Sequence, residues 1–177
     1  MDVRGIGVSA VVAALYAALV IVFAPISFGP VQLRVADCLI PLSALLGWPG
    51  IVGVALGCLV GNAYYMLGVL DVLLGPIANL LAAWVIYHFR RRLLSGCVLA
   101  SLIIGLMVGG YLWLYFPPPG LLAVALPLWA GMILSITLSS LVAVGVLGYL
   151  LVKLLIKSGA LRALESRGLT LHVEGEA

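Results

Sequence analysis

The chain has 177 residues, of which 65% are hydrophobic and only 8% charged, with a formal net charge of +3 and a mean hydropathy of +1.32. A soluble domain carries about 25% charged residues, so a soluble fold would expose too much apolar surface to stay dispersed, and an all-α integral membrane protein is expected. The basic residues gather at helix ends rather than in a nucleic-acid-binding patch, and the odd set Cys38, Cys58 and Cys97 has no CxxC spacing that would mark a metal site or disulfide framework.

The first helix is expected from about Gly7 to Ala24, ending before Pro25. Its apolar run continues to Phe23 without a polar cleavage region, so it reads as a retained span and not a signal peptide. Ala10, Ala14 and Ala18 recur every four residues and share one face. Such a stripe lets another backbone approach closely. Internal packing is the plainer reading of it, and a docking face for a separate membrane subunit the sharper one.

A loop or re-entrant segment follows from Pro25 to Arg34, turning at Gly29-Pro30. A second helix is expected from Val35 to Leu46, closed by Gly47-Trp48-Pro49-Gly50. It is shorter than the roughly 20 residues that a full span needs, which places Arg34 and Asp37 at a recessed pocket. The third helix, Ile51 to Tyr65, carries Gly53, Gly57 and Gly61, a doubled GxxxG stripe for tight helix contact, followed by Asn62. The fourth, Leu70 to Phe89, holds Asp71 and Asn79 and ends at Arg90-Arg91-Arg92. The fifth, Leu93 to Phe116, places Ser101, Gly105 and Gly109 on one face and is ended by Pro117-Pro118-Pro119-Gly120. Pro127 divides the last apolar stretch into a surface segment and a span from Leu128 to Leu151, with Gly131, Ser135, Ser139 and Ala143 on one face.

This pattern gives six transmembrane helices in one domain, residues 1–157, and a polar cytoplasmic tail, residues 158–177, without an assigned function. Six helices return both termini to one side, together with Arg4, Arg90 to Arg92, Lys153, Lys157 and Arg162. The opposite loops, Pro25 to Leu33 and Pro117 to Gly120, hold no lysine or arginine. The positive-inside rule then makes the terminal side cytoplasmic, in a multi-pass protein of the cell membrane.

Gln32, Arg34, Asp37, Asn62, Tyr65 and Asp71 all fall toward the outer face. Ionisable groups at membrane depth are costly unless paired, hydrated or holding a ligand. Arg34 and Asp37, three apart at a helix start, suit mutual neutralisation. Asp71 has no basic neighbour in sequence and is placed to cap its helix. Asn62 alone reads as an interhelical hydrogen bond, and Tyr64, Tyr65, Trp113 and Tyr115 read as interface-belt aromatics. Three function classes fit these residues: a substrate-binding membrane subunit, an intramembrane aspartyl enzyme using Asp37 and Asp71 as an acid pair, and a scaffold. Asp71 follows Leu70 and Asp37 follows Ala36, without the preceding glycine that an intramembrane aspartyl protease would want. A scaffold would not need so many polar groups at one depth. Ligand binding therefore accounts best for the constellation. On that ground the chain is expected to be no enzyme, and with no Walker A motif present it is expected to bind no nucleotide by that device and to draw energy from a partner.

Three motifs, Gly29-Pro-Val-Gln32-Leu-Arg34-Val-Ala-Asp37, Gly57-Cys58-Leu-Val-Gly-Asn62 and Asp71-Val-Leu-Leu-Gly75, resemble in order and spacing those of the QueT family, across about Val8 to Trp84. The family comprises substrate-binding (S) components of energy-coupling-factor (ECF) ABC transporters, associated with uptake of queuosine precursors. Asp37 stands where the family usually has Glu, Pro76 where it has a small polar residue, and Ser139 and Ser140 where many members carry an acid. The resemblance implies a six-helix S-component bundle with cytoplasmic termini and substrate bound near the outer face. It also implies a transmembrane coupling subunit and two cytoplasmic ATPases as partners, docking at Ala10, Ala14 and Ala18, with toppling of the S component to release its cargo. No cofactor or metal is implied. The implied ligand is a 7-deazaguanine, with another small vitamin-like molecule as the alternative. Its N1–H and 2-amino donors suit a carboxylate, and its O6 suits an Arg or Gln donor. Asp71 is the expected carboxylate because Asp37 is expected to pair with Arg34. Gln32 and Arg34 are then placed at O6 or the 7-substituent, with Asn62 lining the pocket.

Overall fold

Asp2 starts the first helix: its carboxylate accepts from the Gly5 amide at 2.9 Å, satisfying one of the donors that a helix start leaves open. The computed structural model describes residues 1–28 and 32–158. The Gly29-Pro30 turn and the tail beyond Ser158 lie outside the described residues.

Helix α1 runs Val3–Val22, four residues earlier than sequence suggests because of the Asp2 cap. Pro25 does not simply end it. It sits in the first turn of a short helix α2, Ala24–Ser27, where its missing amide costs nothing. Segment α3, Val35–Leu46, is a 3-10 helix over Val35–Leu42 with Pro41 inside, and one α-turn over Ser43–Leu46. A 3-10 helix rises about 2.0 Å per residue, so this segment covers roughly 22 Å of a hydrocarbon core about 30 Å thick. Helices α4, Trp48–Tyr65, α5, Val69–His88, and α6, Leu93–Leu112, follow, the last preceded by a 3-10 turn at Arg90–Arg92. After α7, Leu121–Ala125, helix α8 runs Leu128–Lys157, beyond the Leu151 end expected, and widens to a π-helix over Leu141–Gly148.

Helices α1, α5, α6 and α8 are long and apolar enough to cross a membrane. Helix α4 has 18 residues, its hydropathy lowered by its glycines, Asn62 and two tyrosines. The outward side chains agree: Val11, Leu15, Leu73, Leu106 and Leu150 each expose more than half their area. In water that surface would be unfavourable, whereas against lipid tails it costs nothing. Trp48, Tyr64 and Trp129 are exposed near helix ends, the level at which amphipathic rings settle.

The glycine stripe of α4 is the seat of α1. A Cβ at Gly53 would lie 2.7 Å from Val12 Cβ, one at Gly57 2.6 Å from Tyr16 Cβ, and one at Gly61 2.9 Å from Val20 Cβ. The register rises together in both helices, so they run parallel with backbones in close approach. Ser9 Oγ donates to the Pro49 carbonyl at 2.9 Å, and Ser43 Oγ to the Ala83 carbonyl at 2.9 Å. On the other side, Gly105 and Gly109 of α6 face Thr137 and Ile133 of α8 in antiparallel register. Gly148, in the π-helical turn, leaves room for Pro41, whose Cγ a Cβ there would approach to 2.6 Å.

These contacts define two ends. One gathers the N-terminus, residues 47–49, Arg90–Arg92 and Lys157. The other gathers residues 23–28 and 32–34, 66–68 and the turn after α6, where Gly68 packs on the Tyr115 ring. Against α4, α1 buries Ser9, Val12, Tyr16, Ala17 and Val20. Ala10, Ala14 and Ala18 face outward and are exposed, so the alanine stripe is not internal packing of this chain.

Candidate ligand site

Two carboxylates and one guanidinium meet inside the bundle, toward the end that carries residues 32–34. Asp37 comes from the 3-10 helix of α3, Asp71 from the first turn of α5, and Arg34 from the extended residue just before α3. They are 4%, 0% and 7% exposed, so none relies on bulk water. Gln32, also buried, is held with φ +46°, a left-handed conformation that a non-glycine residue adopts only under tertiary constraint.

Arg34 pairs with Asp71, not with Asp37. Its Nη2 lies 3.8 Å from Asp71 Oδ1, and its Nη1 donates to Cys58 Sγ at 3.5 Å. The expected Arg34–Asp37 neutralisation fails because Arg34 has extended backbone (φ −82°, ψ 91°). The spacing rule for residues three apart holds only when both are helical. Asp71 is no helix cap either. No side chain caps α5, and Asp71 Oδ1 instead accepts from the Tyr111 hydroxyl at 2.8 Å.

Asp37 has a neutral partner, since its Oδ1 accepts from the Tyr16 hydroxyl. Asn79 Nδ2 donates to the Tyr16 oxygen at 2.7 Å, so a relay of hydrogen bonds ties α5 to α1 to α3. Asn62 Nδ2 donates to the main-chain carbonyl of Asp71 at 2.8 Å. Gly75, one turn after Asp71, makes that possible: a Cβ there would sit 2.5 Å from the same Nδ2. The Asp71-x-x-x-Gly75 spacing thus has a local physical cause.

Four buried polar atoms of this cluster have no hydrogen-bond partner among the described residues: Gln32 Nε2, Arg34 Nη2, Asn62 Oδ1 and Asp71 Oδ2. Two are donors and two are acceptors. Leaving a buried polar atom unsatisfied costs about 1–3 kcal/mol, more when it is charged, and native interiors seldom tolerate several together. A cavity of about 10 Å³ adjoins two of the four residues, Gln32 and Arg34, roughly the room of one water molecule. Gln32, Arg34, Asp37 and Asn79 supply its polar lining, and Ile104, Val108, Ile136 and Ser140 come from α6 and α8. Asp71, paired with Arg34, and Asn62, bonded to the Asp71 carbonyl, do not line it. Toward the end that carries residues 23–28, the Arg34 guanidinium lies over the Phe28 ring at 5.4 Å, and Phe28 stacks on Tyr65 with centroids 4.0 Å apart.

Of the residues expected from sequence, Gln32, Arg34, Asp37, Asn62 and Asp71 are thus brought into one cluster. Ala10, Ala14 and Ala18 lie apart from it, on the outer face of α1. Tyr16, Asn79, Tyr111, Cys58 and Ser140 also belong to the cluster or its cavity; sequence named Asn79, Cys58 and Ser140 without a site role and passed over Tyr16 and Tyr111. A lone hydroxyl or amide in an apolar run is the signal that could have found Tyr16 and Asn79. Among the described residues, no group of His, Cys, Asp or Glu is placed to hold a metal ion.

The family model described as QueT transporter matches residues 6–157. The chain belongs to the QueT transporter family. That match extends the sequence resemblance from the first half of the chain to the end of α8, and it makes the protein a membrane transporter rather than an enzyme. Neither a curated protein nor a solved structure matches it.

Proposed function

We propose that this chain is the substrate-binding S component of an ECF-type importer. On this reading it takes up a 7-deazaguanine-type queuosine precursor at the outer face. The observation that carries this reading is the set of four unsatisfied buried atoms around Arg34 and Asp71. Two acceptors, Asp71 Oδ2 and Asn62 Oδ1, match the adjacent N1–H and 2-amino donors of a guanine-type edge. Two donors, Gln32 Nε2 and Arg34 Nη2, match its O6. Adenine presents neither that donor pair nor that acceptor. Membership of a transporter family supports transport as the purpose of the binding.

The small cavity cannot hold a purine-sized base, so α3 and the residues before it must move away from α6 and α8 to admit one. The stacked Phe28 and Tyr65 and the widened turns of α8 border that path. The six-pass bundle of this reading counts α1, α3, α4, α5, α6 and α8, with α3 as the short crossing. The basic end, Arg4, Arg90–Arg92 and Lys157, faces the cytoplasm by the positive-inside rule. Both termini are then inside and the site is near the outer surface. The exposed alanine stripe of α1 is the docking face for the transmembrane coupling subunit, which two cytoplasmic ATPases drive.

The test is binding by the purified chain without nucleotide, together with uptake by cells. The isolated protein should bind a 7-deazaguanine at one site and reject adenine, and uptake should require the coupling subunit and ATPases as well. Tight adenine binding, or uptake by the chain alone, would overturn the proposal.

A further inference from the structure

Positive charge is unevenly spread over the molecule. Outside the buried cluster of Arg34, Asp37 and Asp71, the chain has eight Lys and Arg against four Asp and Glu, a surplus that holds however those groups pair with one another. Six of the eight, Arg4, Arg90–Arg92, Lys153 and Lys157, lie at the end of the bundle that carries the N-terminus, where Asp2 is the one carboxylate among the described residues. Leu93 packs with Leu45 and Val152, which brings the basic turn before α6 against the last turns of α8.

This end also carries the marks of a bilayer edge. Trp84 and Phe89 stay exposed on the last turns of α5, and Trp48 at the start of α4, rings of the kind that settle at headgroup level. On α8, Leu150, Lys153, Leu154 and Lys157 have the spacing of one helix face, and all four are exposed. A bare apolar stretch thus runs into two ammonium groups. Lys153 Nζ lies 5.2 Å from the centre of the Tyr149 ring, one turn deeper, which keeps its charge close to that stretch. Leu94, exposed near Arg92 at the start of α6, repeats the pairing of apolar and basic side chains.

We propose that this end holds an anionic phospholipid, with its phosphodiester against Arg92, Lys153 and Lys157 and its acyl chains along Leu94, Leu150 and Leu154. Each basic residue at a membrane surface favours anionic headgroups by a factor of about five. A lipid suits both halves of this face, whereas a soluble acidic partner suits the charges alone. The site is separate from the buried cluster and does not depend on what that cluster binds.

The experiment adds phosphatidylglycerol or phosphatidylcholine with the same acyl chains to the full chain in neutral detergent. Melting temperature and the lipid retained in native mass spectrometry are the readouts. Phosphatidylglycerol should raise the melting temperature and stay bound, phosphatidylcholine should do neither, and added salt should weaken the effect. Arg92→Gln combined with Lys157→Gln should shift the phosphatidylglycerol response to at least about tenfold higher lipid concentration. Both side chains are exposed, so without lipid the variant should melt as the wild type does. Equal responses of the wild type to the two lipids would overturn the proposal, and that contrast needs no variant. An unchanged phosphatidylglycerol response in the double variant would overturn the placement of the site. The same shift with inorganic phosphate alone would overturn the lipid in favour of a free anion. Loss of co-purification with the coupling subunit, in a double variant whose lipid response is intact, would overturn it in favour of a protein partner.

Discussion

Arg34 and Asp71 lie 3.8 Å apart, although 36 intervening residues and two helices separate them in the chain. The pair joins the residue before α3 to the first turn of α5. Both charges therefore depend on the fold for their partner. Removing one leaves the other buried and uncompensated, a change that commonly costs about 3–5 kcal/mol. Arg34→Met should lower the melting temperature of the purified chain markedly, and Arg34→Met with Asp71→Leu should recover much of the loss. Double-mutant melting in detergent checks this, and additive effects would mean that the two residues do not interact.

Gly57 is the tightest point of the α1–α4 contact, since a Cβ there would also come within 2.7 Å of the Ala13 carbonyl. Gly57→Val should destabilise the bundle by about 3 kcal/mol or more, because overpacking here meets backbone rather than a flexible side chain. It should also displace Tyr16 from Asp37. Gly110→Ala, where nothing lies within 4 Å, serves as the control and should melt as the wild type does.

Much of this architecture was legible in the sequence, because its signals are local. Pro127 and the triple proline each act through their own backbone, so α6 and α8 lie close to where they were expected. The cluster was legible as a list of residues but not as a set of pairs. Arg34 and Asp37 look like helix neighbours, and only the extended backbone of Arg34 separates them. Tyr16 was hidden in an apolar run because its polar atom matters only once α3 packs beside α1. The face of the alanine stripe was equally undecidable before the glycines of α4 were seen to claim the other side of α1.

That exposed stripe yields a separation of effects. Ala14→Leu should leave melting temperature and ligand affinity of the isolated chain within error, since the side chain points away from its own bundle. Co-purification with the coupling subunit and uptake should both be lost, because a bulky residue blocks close helix approach. Retained complex formation would remove the stripe from the interface.

Orientation is checked by single cysteines at Pro118 and Ser158, in a background lacking Cys38, Cys58 and Cys97. On intact cells an impermeant maleimide should label the first position and not the second, which the positive-inside rule places in the cytoplasm. Labelling at both would contradict the topology.

The central claim is that Asp71 reads the base, and Asp71→Asn tests it most directly. The substitution keeps the shape but turns an amide donor toward ligand donors, and it removes one buried charge from Arg34. Titration with 7-deazaguanine should show a loss of affinity of about 10- to 100-fold, given roughly 1.5–3 kcal/mol for a charge-assisted bond. Wild-type affinity in Asp71→Asn, confirmed as folded by its melting curve, would contradict the account.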